Sequence, residues 1–282
     1  MPRLPQELID SIISQLNDRK SLKACSLVAS PFVLPSQRLL FHTIDLDTPT
    51  LTPRNLKIYV RFLRILTLNP LLGTYVRSLR LGDDSDNFGS SRSWTAHKNL
   101  PQLLQLLPRL EAFTLTFNSC EIQWTSIPED VRAAFVRLFR LPTLQAISLE
   151  VIRGFPLQLL FGRTPLKQLS LSFVDVDPKD IHSHSVSTLR GLHLRGTPPC
   201  TIAAITRCLP PSSPTLRRLA ITPTLEPGFC VAIRELMIAV GSKITHFEWL
   251  PSIHFCMFYP SPHSNSRPLL TPPPYSFIFN PT

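Results

Sequence analysis

Apolar residues recur along this chain with two different rhythms. Near the start, Leu8, Ile9, Ile12, Ile13 and Leu16 follow an i, i+1, i+4, i+5, i+8 spacing, which puts all five on one face of a helix. Pro5 suits the first turn of that helix, where its missing N–H costs nothing. Asn17-Asp18 breaks the pattern, Asp18 is placed to cap a second helix, and Leu22, Cys25 and Val28 or Ala29 form its stripe. Ser30-Pro31 repeats the start signal and predicts a third short helix ending near Phe41.

From Phe41 onward the rhythm becomes an L-x-x-L-x-L pattern. It reads FHTIDL at 41, VRSLRL at 76, LEAFTL at 110, LQAISL at 144, LKQLSL at 166, LRGLHL at 189, LRRLAI at 216 and ITHFEW at 244. Alternate apolar residues mark a short strand whose inward side chains share one core, and each intervening segment must return the chain along the outside. The start-to-start spacings are 35, 34, 34, 22, 23, 27 and 28. The last four lie within the leucine-rich-repeat range, while the first three leave room for longer helices. Residues 56 to 68, 100 to 107 and 129 to 141 have helical periodicity, and TIAAITRCL and FCVAIRELMIAV predict helices between the later strands.

These readings predict an α/β solenoid, with a small three-helix unit over residues 1–45 and an irregular array of parallel strands and outer helices over 46–250. Residues 251–282 hold eight prolines and six aromatic residues, including Pro272-Pro273-Pro274, which predicts little fixed secondary structure. Twenty-nine prolines against nine glycines across the chain agree with many short, punctuated elements.

A helical unit of about 40 residues can barely balance its chain entropy with its own core, so it needs something further to pack against. Here Leu4-Pro5, Glu7-Leu8-Ile9, Ile12-Ile13, Leu16, Asp18, Leu22 and Cys25-Ser26-Leu27-Val28 resemble an F-box, in the form expanded in mushroom-forming fungi. Phe32 and Ala29 stand where that family usually has Trp and often Cys. Residues 60 to 81 are similar to the stretch that follows the F-box in those proteins, where a helix leads into the first strand. Residues 82 to 250 resemble them in repeat style alone.

The resemblance implies a three-helix hook that docks on the adaptor Skp1, and through it on a cullin, with Leu4, Pro5, Leu8, Ile9, Ile12, Leu22, Leu27 and Val28 facing the partner. It implies a substrate-recognition subunit of an SCF-type ubiquitin ligase, in which other subunits perform the transfer. The rival reading is a leucine-rich-repeat scaffold that binds another protein without recruiting Skp1.

A target would meet the outward positions of the strands, where one stripe of side chains per repeat builds an open sheet face. Those positions hold Arg80, Thr114, Thr116, Ser148, Glu150, Gln168, Ser170, Ser172, His193, Arg195, Arg218, His246 and Glu248. The connection from Gly82 to Asn99 is rich in Asp, Ser and Gly and reads as a surface loop.

Charge narrows the partner. Residues 1 to 50 carry five basic and five acidic side chains, so the whole +10 excess lies after residue 50. Steering then favours an acidic protein. The lack of Lys/Arg runs, finger spacing or basic-aromatic interleaving argues against nucleic acid.

No 18-residue apolar run, leader pattern or Asn-x-Ser/Thr sequon is present, which points to an intracellular protein, cytoplasmic or nuclear, with no membrane partner. The six cysteines lack metal-ligand spacing and read as reduced core thiols. Without G-x-S-x-G, a phosphate-cradling glycine loop or H-E-x-x-H, and with His182 and His184 as the nearest thing to a catalytic pair, the sequence predicts no enzyme, metal or cofactor.

Overall fold

All eight motifs become strands, each beginning two residues after the motif does. The computed structural model describes residues 4–48, 53–83, 99–117, 121–161, 165–177, 188–209, 215–250 and 275–278. The expected loop around 84–98 and the histidines at 182 and 184 lie outside them. The chain divides into two compact units, one of Met1–Cys120 with Thr125–Gln145, the other of Glu121–Trp124 with Ala146–Thr282. Each is an α/β arrangement of parallel strands with helices between them.

The first unit opens with three helices, α1 (Gln6–Ser14), α2 (Arg19–Val28) and α3 (Ser30–His42). Asp18 caps α2 by accepting hydrogen bonds from the backbone N–H of Lys20 at 2.8 Å and of Ser21 at 2.7 Å. This satisfies two of the donors that a helix start leaves open. Ala29 alone separates α2 from α3, in an extended conformation with φ −160°. The Gln6 side chain donates to the Pro31 carbonyl at 3.1 Å and ties α1 to the start of α3.

Three parallel strands follow, β1 (Thr43–Thr48), β2 (Ser78–Asp83) and β3 (Ala112–Phe117). They are linked by α4 (Pro53–Leu68) and α5 (Leu100–Gln105), and α6 (Glu129–Phe139) follows β3 in the same unit. Register aligns Ile44, Leu79 and Phe113 in one row and Leu46, Leu81 and Leu115 in the next, all buried. Phe113 packs against Phe135 and Phe139 of α6 with ring centres 5.8 and 5.9 Å away. The buried Tyr59 hydroxyl donates to the Leu46 carbonyl at 2.9 Å, fixing α4 on β1. The expected division at residue 45/46 falls inside β1, and α1–α3 share their compact unit with β1–β3.

In the second unit the parallel strands are β4 (Ile122–Gln123), β5 (Ala146–Phe155), β6 (Gln168–Val176), β7 (Gly191–Arg195), β8 (Arg218–Thr222) and β9 (His246–Trp249). Between them run α7 (Gln158–Phe161), α8 (Pro199–Cys208) and α9 (Phe229–Val240). Ile147, Leu169, Leu192 and Leu219 form one buried row, and Leu149, Leu171, Leu194 and Ile221 the next. Along the last four motifs, the second position donates a backbone hydrogen bond to the second position of the motif before it. The Arg190 N–H reaches the Lys167 carbonyl, that of Arg217 the Arg190 carbonyl, and that of Thr245 the Arg217 carbonyl, at 2.8 to 2.9 Å.

Two adjacent strands reverse their alternation at one repeat position, and the same backbone step follows the end of β7. Val151, Phe173 and Gly196, each seven residues past the start of its motif, have φ of 61°, 53° and 56°. After this left-handed step Ile152, Val174 and Val176 turn inward and are buried, and a second one at Gly154, φ 62°, brings Phe155 inward as well.

Two expectations need correction. Thr116 and Ser172, read as outward, are buried. Ser172 lies beside the left-handed Phe173, where strict alternation fails. The tail, expected to lack regular structure, contributes β10 (Tyr275–Ile278), which pairs antiparallel with β9. Four strand-forming residues free of proline suffice to extend an open sheet edge. The rest of the tail lies outside the described residues.

Candidate functional site

Helix α1 carries apolar residues on two adjoining stripes. Ile9 and Ile13 join Leu22 of α2 in a small core, on which Leu16, Cys25, Phe32, Leu39 and Leu40 pack. The neighbouring stripe is open, with Leu4 57% exposed, Leu8 51% and Ile12 54%, and at the end of α2 Leu27 is 87% and Val28 72% exposed. Residues at i and i+1 are separated by 100° on a helix, so one stripe can face inward while the next faces solvent.

Of the residues expected to meet a partner, Leu4, Pro5, Leu8, Ile12, Leu27 and Val28 lie at the surface, and Ile9 and Leu22 do not. The two buried ones hold the helices in the positions that expose the others. Phe32 adds its ring to that same core.

On the sheet of the first unit, Arg80 and Thr114 are register partners, with Asp45 on the other side of Arg80. In the second unit the outward rows are fixed by pairing. Gln168, Gly191, Arg218 and His246 form one row, Ser148, Ser170, His193, Ala220 and Glu248 the next, and Glu150 and Arg195 belong to a third in which their register partners Ser172 and Thr222 are buried. The structure therefore brings Glu150, Gln168, His193, Arg195, Arg218, His246 and Glu248 onto one face of that unit.

Within it, His246 Nε2 lies 2.8 Å from Glu248 Oε1. His193 Nδ1 lies 3.2 Å from the Ser170 hydroxyl, and its Nε2 is enclosed without a hydrogen-bond partner among the described residues. Burial pushes the His193 pKa down, and the Arg195 cation pushes it further, against an opposing pull from Glu248. The imidazole is thereby held neutral at pH 7. A Ser–His contact alone does not make a nucleophile, because the far imidazole nitrogen lacks the group that would orient it.

Phe173 is the residue that pattern reading overlooked. The Arg195 guanidinium carbon lies 5.7 Å from the centre of its ring. That ring rests on Gly196, where a Cβ would come within 2.2 Å of it. The available signal was an aromatic residue seven positions past one motif start, beside a glycine seven past the next.

Among the described residues no cluster of His, Cys, Asp or Glu has the arrangement to hold a metal ion, and no helix is long and apolar enough to cross a membrane. Comparison of the sequence with protein-family models and with curated proteins finds no match in either.

Proposed function

We propose that the chain is the substrate-recognition subunit of an SCF-type ubiquitin ligase, a solenoid-bearing F-box protein that binds Skp1 through α1–α3 and a protein target through its outward strand positions. The observation that carries this reading is the exposure of Leu4, Leu8 and Ile12 along α1 and of Leu27 and Val28 at the end of α2, on a helical unit whose own core is already filled by Ile9, Ile13 and Leu22. Large apolar side chains grouped in this way lose free energy to water and gain it against a partner. The first three and the last of the motif segments that resemble an F-box supply all five.

The activity expected of the chain is positional, with the adaptor held on one surface and a target on another, and transfer performed by other subunits. The test is capture of a fungal Skp1 by the full chain and by a variant carrying Leu8→Ala and Ile12→Ala. Anchor truncations at an interface typically cost about 2 kcal/mol or more each, so the wild type should co-purify and the double variant should not, while both unfold at the same denaturant concentration. A folded wild type that captures no Skp1 overturns the reading and leaves the scaffold alternative.

A further inference from the structure

The left-handed step in β5 and β6, repeated just past β7, has a structural use, since it resets the alternation and turns Ile152 and Val174 inward. Glycine meets that need without strain, as Gly196 does at φ 56°. At the same repeat position β6 carries Phe173 at φ 53°, a conformation strained for a bulky residue. What the strain sustains there is the ring, laid on Gly196 and beneath the guanidinium of Arg195.

An arginine fixed in this way has lost part of its rotamer freedom before any ligand arrives. Arg195 has no carboxylate partner among the described residues, and it is half-buried. Arg218, on the adjoining strand and the same face, is exposed and likewise forms no ion pair among the described residues. Ala220 and Thr222 keep the surface beside them low.

We propose that Arg195, held by Phe173, is the recognition site for a carboxylate side chain of an acidic peptide segment in the target, with Arg218 two outward rows along the ladder. This rests on reading the sheet face as the target-binding surface. The guanidinium fork accepts a carboxylate through two parallel N–H bonds. A carboxylate fits better than a phosphate because only one guanidinium is fixed, His193 is neutral, and Glu150 and Glu248 on the same face oppose a second negative charge.

The probe is a fluorescent hexaglutamate peptide, followed by anisotropy with the full chain, alongside hexaglutamine and a phosphoserine hexapeptide. Hexaglutamate should bind and hexaglutamine should not. Arg195→Gln should weaken binding about tenfold or more. Phe173→Leu, which leaves every charge in place, should weaken it severalfold. Arg217→Gln, which removes an equal charge just before β8 and off the face, should change it less than about twofold. Equal losses for Arg195→Gln and Arg217→Gln would reduce the effect to net charge and overturn the site. Tighter binding of the phosphoserine peptide would overturn the carboxylate assignment. Skp1 capture is scored on the same preparations, so a chain that captures Skp1 but ignores hexaglutamate loses only this site, and the converse loses only the hook.

Discussion

Ile12 and Ile13 are adjacent in sequence and opposite in environment. Ile13→Ala should destabilise the first unit by about 2–5 kcal/mol, because it empties a packed site, whereas Ile12→Ala should leave denaturant unfolding nearly unchanged. Apolar spacing located the sector but could not divide it, since a stripe wide enough for Leu8, Ile9, Ile12 and Ile13 looks like one face until packing chooses. Asp18 makes a second residue-scale prediction. Its carboxylate is held below the ordinary aspartate range, first by the Ser21 hydroxyl and then by the amides of Lys20 and Ser21. A lowered native pKa contributes stability above the unfolded value, lost as pH falls through the native one. Helical circular dichroism should therefore fall on acidification below about pH 4, and Asp18→Asn should flatten that dependence. For His193 the neutral form is favoured in the fold, so its contribution is complete above about pH 6.5 and declines as protonation is forced at lower pH. His193→Asn should reduce the loss of stability between pH 7 and pH 5 in thermal melts.

At the scale of elements, the strands were the most legible part. An alternation of period two, written eight times, specifies both where each strand runs and which side chains it buries. The helices α4, α5, α6, α8 and α9 were equally plain, because their connections change to a period near 3.6. The left-handed step was not legible, since Val151 and Phe173 carry no glycine to announce it and alternation was extrapolated through Ser172. Gly196→Ala tests the step directly. Its Cβ would strike the Phe173 ring and its φ suits glycine, so equilibrium unfolding should show a loss of at least about 1 kcal/mol. The candidate site followed the same division. The outward rows were read from spacing, while the ring that fixes Arg195 came from a conformation that spacing does not encode.

For the whole molecule, an excess of ten positive charges and a sheet face with arginines of its own make association with acidic partners dependent on salt. The last strand gives that scale a different kind of consequence. Because β10 runs antiparallel to β9, it reverses the polarity of the ladder and occupies the backbone groups to which a further parallel strand would bond. A chain cut after Leu250 should self-associate more readily by light scattering, as an uncovered edge invites pairing. For anyone lengthening the array, the reversal acts as a stop codon written in hydrogen bonds. An additional repeat belongs before β9, where the terminal pair can close over it, and one appended after β9 would have to evict its own cap.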